Sequence, residues 1–175
     1  GGERWGRYSF LGFDPKLRVT LEDGVMTLEE GGMRQTMEGQ PLDVLRGLLA
    51  QYRAPKLPEL PPFTGGLVGT FNYEMIGYAE PTLRLKHSAT PDVDLMLFDK
   101  VIAYDHLKQK ITVIVNLPTS DLGERYGAAI SDMERIIRLI TDPLPLPRTR
   151  VKCRPHFVPN VSHEDFCHWV ERLQD

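Results

Sequence analysis

Residues 61–81 read PPFTGGLVGTFNYEMIGYAEP. Pro61 and Pro62 end a loop, and Gly65, Gly66 and Gly69 then punctuate an apolar run followed by Phe71, Tyr73 and Tyr78. Glycine inside a strand gives up backbone entropy and side-chain packing, so it marks a place where something comes close to the backbone. The spacing is not G-x-G-x-x-G and no P-loop lysine follows, which rejects a phosphate cradle. The stretch reads as a glycine-kinked strand, and the fold has to be assembled around it.

On its N-terminal side the pattern is a meander. Tyr8 to Gly12 reads as a short strand, and Asp14-Pro15 turns the chain. Leu17, Val19 and Leu21 alternate with Arg18, Thr20 and Glu22, a half-buried strand. Asp23-Gly24, flanked by alternating residues, is a hairpin turn, and Glu30-Gly31-Gly32 turns again before a strand at Met33 to Met37. The period then changes. Pro41 suits a first helical position, and Leu42, Leu45, Leu48, Leu49 and Tyr52 share one face of a helix from Pro41 to Arg53.

On its C-terminal side a helical turn is expected near Glu74 to Gly77. A single strand is then expected over Asp94 to Tyr104, with Leu95, Leu97, Lys100, Ile102 and Tyr104 in alternation. Asp105 to Gln109 turns the chain into a partner strand, Lys110 to Asn116, with Ile111, Val113 and Val115 on one face. Ser120 or Asp121 caps a helix to about Thr141, whose apolar stripe is Leu122, Tyr126, Ala129, Ile130, Met133, Ile137 and Ile140. Residues 142–160 hold five prolines and read as an extended linker. Ser162 with Asp165 three residues on is a capping box, followed by Phe166, Val170 and Leu173 at helical spacing. Two hairpin systems, each followed by a helix, argue an α+β fold with antiparallel β-sheets and packed helices. Residues 1–141 are expected to form one domain, 142–160 the linker, and 161–175 the start of a second module.

At 175 residues the chain is long enough for a domain of ordinary size. Its net charge of -3 gives no electrostatic case for nucleic acid or an acidic membrane. The apolar runs fall well short of the roughly 20 residues of a bilayer span. The chain starts at Gly1, which reads as a trimmed beginning. Cys153 and Cys167 are read as free thiols in a reducing, cytoplasmic compartment.

Chemistry-bearing constellations are few. The histidines are His87, His106, His156, His163 and His168, and no two of them stand at i,i+4 with an acid nearby, so no metal site is expected. Asp92, Asp94, Asp99 and Asp105 read as charges guarding a sheet edge. No Ser, Cys or Lys sits beside an evident base, and Cys167 has only His163 and His168 near it, neither clearly on its face. Two local features stand out. Arg4, Trp5, Arg7, Tyr8 and Ser9 gather at the mouth of the first strand, where they form either a receptor for a small carboxylate or a solvated edge. Asn72, Tyr73 and Glu74 place polar groups just after the glycine strand.

GGERWGRYSFLGFDP (1–15), PPFTGGLVGTFNYEMIGYAEP (61–81), PDVDLMLFDKVIAYDHLKQKITVIVN (91–116) and FVPNVSHEDFCHWVERLQD (157–175) occur in an order and spacing that resembles the N-terminal half of anthranilate synthase component I, of the chorismate-utilising enzymes. The resemblance implies half of a larger two-module fold, with the glycine strand internal to a two-half core. It implies a lyase that converts chorismate to anthranilate and pyruvate in tryptophan biosynthesis, with Mg2+ near the substrate and ammonia from a glutamine amidotransferase subunit, component II. The family's catalytic histidine, magnesium-binding glutamates and chorismate contacts lie in the second module, so the resemblance implies no catalytic residue, no metal ligand and no turnover in this chain. This half looks like the regulatory one, where L-tryptophan binds as feedback inhibitor. The family's L-L-E-S motif would precede Gly1 and its N-P-S-P-Y-M motif would follow Asp175. Arg7, Tyr8 and Ser9 match the segment leading out of the first motif, as neighbours of the tryptophan pocket. The same half occurs in aminodeoxychorismate synthase component I, and a free-standing ligand-binding domain is the other alternative. If the glycine strand awaits a partner, the chain exposes apolar surface and self-associates.

Overall fold

A computed structural model describes residues 6–83, 85, 89–120, 122–142 and 158–174. The elements are β1 (Tyr8–Gly12), β2 (Leu17–Glu22), β3 (Val25–Glu30), β4 (Met33–Met37), α1 (Pro41–Ala50), β5 (Gly66–Phe71), a 3-10 turn (Tyr73–Met75), α2 (Ile76–Ala79), β6 (Val93–Phe98), β7 (Lys100–Asp105), β8 (Lys110–Val115), α3 (Leu122–Thr141) and α4 (His163–Gln174). The chain divides into two units, Gly1–Asp142 and Pro143–Asp175. The first holds two antiparallel sheets, ordered β1-β7-β8 and β4-β3-β2-β6-β5, and α1, α2 and α3. The second holds α4. The class is α+β, as the pattern of hairpins and helices requires.

The five-stranded sheet follows from period-two patterning and turn chemistry. Leu17, Val19 and Leu21 of β2 are buried, and they face the same side as Val93, Leu95 and Leu97 of β6. Asp23 and Gly24 both have positive φ, 50° and 78°, as a tight I′ turn demands, and this sets Glu22 opposite Val25. Met26 and Leu28 of β3 and Leu45 and Leu48 of α1 complete the core cluster. Each fully buried Leu of this kind contributes roughly 1.5–3 kcal/mol relative to exposure. Helix α1 ends three residues earlier than the period implies, and its buried side is Pro41, Leu45 and Leu48. Leu42 and Leu49 remain 42% and 45% exposed, because one sheet face covers only one side of a helix.

Three expectations of register give way. The run Asp94 to Tyr104 is two strands, not one. The chain bends at Asp99, and β6 joins the five-stranded sheet while β7 joins the other. Asn116 holds that crossing. Its backbone N–H and its side-chain Nδ2 both donate to the Asp99 carbonyl, at 2.8 and 3.1 Å, and Nδ2 also donates to the Thr64 carbonyl at 2.7 Å. In β7 the buried residues are Val101, Ala103 and Asp105, not Lys100, Ile102 and Tyr104. In β8 the buried residue is Ile114, not Ile111, Val113 or Val115. Helix α3 packs against β8 and buries Ala129, which belongs to the expected stripe, and Ile136, which does not. Two ion pairs lie alongside that face: Lys100 to Asp132 at 3.5 Å and Arg135 to Asp14 at 3.7 Å. Leu122, Tyr126, Ile130, Ile137 and Ile140 stay exposed.

Among the described residues the glycine strand β5 pairs with β6 and forms an edge of the five-stranded sheet. The backbone that approaches it belongs to β6. A Cβ at Gly69 would fall on the Asp94 carbonyl oxygen. A Cβ at Gly65 would lie 2.8 Å from both the Phe98 carbonyl and Asn116 Nδ2, at the crossing between the sheets. The proline-rich segment 142–160 lies mostly outside the described residues, as do Arg4, Trp5, His87, His156, Asp121 and Cys153. Among the described residues no helix is long and apolar enough to cross a membrane.

Candidate functional site

Strand β1 is an edge of the three-stranded sheet, and the polar residues at its mouth meet the end of β7. The antiparallel register sets Tyr8 opposite Asp105 and Ser9 opposite Tyr104. The His106 N–H donates to the Arg7 carbonyl at 2.8 Å, so the pairing extends one residue past the strand. Arg7 then closes a fork on Asp105: Nε donates to Oδ1 at 3.1 Å and Nη2 donates to Oδ2 at 2.7 Å. Oδ1 also accepts the backbone N–H groups of Leu107 and Lys108, which builds the turn into β8. Asp105 is 6% exposed. The Arg7 hydrogen bond, with the backbone donors, holds its carboxyl well below the usual carboxylate range against the opposing effect of burial.

The aromatic rings continue from this ion pair. The Arg7 guanidinium lies 4.9 Å from the Tyr8 ring centre, Tyr8 stacks on Phe10 at 5.9 Å, and Phe10 meets the edge of Phe63 at 5.4 Å. Phe63 lies in the loop leading to β5, so the mouth of β1 is tied to the glycine strand. The neighbouring strand face carries the more open polar pair. The Ser9 hydroxyl and His106 Nε2 are 2.7 Å apart, and the His106 ring stands edge-on to Tyr104 at 4.7 Å.

The arrangement revises the two readings of this cluster. Arg7 is neither a solvated edge charge nor an open carboxylate receptor, because a bidentate partner already engages it. Tyr8 is half-buried beneath it, and Ser9 with His106 is the accessible polar pair. His106 was not grouped with Arg7, Tyr8 and Ser9 in the sequence, since 97 residues separate it from Ser9.

The aspartates are anchors rather than edge guards. Asp94 lies on β6 inside the sheet and takes a fork from Arg18 at 2.8 and 2.6 Å. That hydrogen bond lowers its pKa and raises that of Arg18. Asp92 accepts the Tyr78 hydroxyl at 2.7 Å. Burial, reinforced by that bond, pushes the Tyr78 phenol up to about 12. Asn72 donates to Thr90 and to the Pro91 carbonyl, so it pins the end of β5, whereas Tyr73 is exposed.

On α4 the Ser162 hydroxyl accepts the Asp165 N–H at 3.0 Å, the N-cap bond of the expected capping box, and donates to the Asp165 carboxylate at 2.6 Å, so that carboxylate meets the hydroxyl rather than the Ser162 N–H. His163 does reach Cys167: its Nε2 lies 3.7 Å from Sγ. His163 therefore shares a face of α4 with Cys167, against the expectation that neither nearby histidine does. Cys167 is a free cysteine.

Known proteins resemble this chain along most of its length. The family of chorismate binding enzymes matches residues 2–175. Anthranilate synthase component 1 of Acetivibrio thermocellus is 35% identical over 178 residues, covering 95% of this chain and 36% of that protein. The protein of the same name from Acinetobacter calcoaceticus is 33% identical, covering 100% and 37%. The crystal structure of anthranilate synthase component I from Streptococcus pneumoniae TIGR4 superposes with a TM-score of 0.73 at 27% identity, covering 96% of this chain and 37% of that one. The chain therefore spans little more than a third of the length of these relatives.

Proposed function

The chain belongs to the chorismate binding enzymes, and from that premise we propose that it is the tryptophan-responsive regulatory portion of a cytoplasmic lyase that makes anthranilate from chorismate. The observation that carries this reading is the likeness to anthranilate synthase component I along almost the whole chain, in sequence and in fold. In this reading chorismate and an amidotransferase subunit engage the whole enzyme, and the chain itself has no turnover. Tryptophan acts by population shift: it binds better to a state whose chorismate site is less competent, and the two affinities are coupled reciprocally. Arg7, Tyr8 and Ser9 border its pocket. The Arg7–Asp105 fork fixes the strand edge, and the Ser9 hydroxyl, hydrogen-bonded to His106 on the strand face opposite the Tyr8 ring, would exchange that bond for one to the ligand.

Mg2+ demands several oxygen ligands at once. The described carboxylates do not fit that need: Asp94 and Asp105 are each held by an arginine, Asp92 by Tyr78, and no group of three metal-ligating side chains converges among the described residues.

The test grafts this chain in place of the matching portion of the Acetivibrio thermocellus protein and follows anthranilate fluorescence. The graft is expected to convert chorismate with ammonium and Mg2+ and to be inhibited by tryptophan. Ser9→Ala is expected to shift the half-inhibiting tryptophan concentration by at least about fivefold. An unchanged concentration overturns the placement of the pocket. Anthranilate formed by the 175-residue chain alone overturns the regulatory reading.

A further inference from the structure

We propose that α4 carries a surface chelate for a borderline-soft divalent metal ion of the zinc type, formed by the imidazole of His163 and the thiolate of Cys167. The two side chains stand one helical turn apart, with Nε2 and Sγ separated by 3.7 Å. Zinc binds histidine nitrogen at about 2.0–2.1 Å and cysteine sulfur at about 2.3 Å, so a tetrahedral ion holds the two donors about 3.6 Å apart. The observed separation therefore matches the edge of a zinc tetrahedron.

The helix supplies the preorganisation. Its first turn is held by the Ser162 cap, and His163 is the first residue of that turn. Glu164, His168 and Glu171 border the same open concavity as His163 and Cys167. The two glutamates make it favourable to a cation. An imidazole nitrogen with a thiolate suits zinc or cobalt and is a poor match for Mg2+, a hard ion that takes oxygen. No group of three ligating side chains converges among the described residues, so solvent completes the coordination and the site is labile. Binding displaces the thiol proton to solvent, and affinity rises with pH accordingly. The inference is independent of the proposed regulatory role.

The test uses the full chain with Cys153→Ser throughout, under reductant, so that Cys167 is the only thiol. Titration with Co2+ is expected to give a sulfur-to-cobalt charge-transfer band that one equivalent of Zn2+ abolishes and excess Mg2+ does not. His163→Ala is expected to weaken Co2+ binding by at least about tenfold, and Cys167→Ser to remove the band. Zn2+ should also slow alkylation of Cys167 by iodoacetamide, a readout that needs no change at either donor. Absence of the band at saturating Co2+, an unchanged affinity in His163→Ala, or alkylation indifferent to Zn2+ would each overturn the proposal.

Discussion

At the scale of single residues, Asp105 is the group whose chemistry decides most. Its carboxylate takes a fork from Arg7 and two backbone N–H groups, and its pKa in the folded state lies below the ordinary value of about 4. On acidification the unfolded chain is protonated first. The contribution of the fork is therefore complete above about pH 4 and is lost as the pH falls through the folded value. Asp105→Asn is expected to lower stability at neutral pH, with a gap to the parent that narrows below about pH 4. Urea unfolding at neutral and acidic pH measures that gap, and a constant gap would sink the assignment. Both residues of the pair were visible in the sequence, and so was Ser9. Their partners were not, because Arg7 and Asp105 are 98 positions apart and no local period links them. The His163–Cys167 pair was legible through the i,i+4 rule, since a helix alone brings such residues together.

At the scale of elements, the glycines of β5 divide into two kinds. Gly69 faces the Asp94 carbonyl so closely that no Cβ fits, whereas a Cβ at Gly66 meets only the Phe63 ring at 3.6 Å, an ordinary contact. Gly66 has a φ of 140°, so a substitution there strains the backbone without a clash. Gly69→Ala should thus be the more damaging, by about 1–3 kcal/mol, because β5 must move off β6. Gly66→Ala should fall nearer to about 1 kcal/mol, the low end of the cost of a strained φ. Chemical denaturation of the two variants ranks them, and a Gly66→Ala cost equal to or above that of Gly69→Ala would contradict the close approach of β6. Turn chemistry and alternation made the β2–β3 hairpin, the β7–β8 hairpin and the cap of α4 readable. They did not reveal the bend at Asp99, since a strand that changes sheets keeps its alternation. Nor did they place Ile136 of α3 on its buried side, since the apolar residues spread around much of the circumference of that helix.

At the scale of the molecule, β5 leaves an edge without a charged residue to guard it. Val68 and Phe71 on that strand are 49% and 54% exposed, and Tyr73 and Ile76 continue the apolar surface beyond it. Such an edge pairs with other chains. The 175-residue chain is therefore expected to associate as its concentration rises, and Thr70→Lys, which places a charge on the β5 edge, is expected to suppress this. Sedimentation velocity over a range of concentrations checks both, and a monomer throughout would remove the argument. The amino-acid sequence by itself determined the class of elements, their turns, the cap of α4 and the family, because propensity, periodicity and motif spacing act over a few residues or are read directly in order. Only the tertiary structure decided that β6 and β7 part at Asp99, that β5 lies at an edge, and that Arg7 is bound to Asp105 rather than open to a ligand. Those are choices among partners distant in the chain, and they are settled by which backbone groups and charges find each other when the two sheets close.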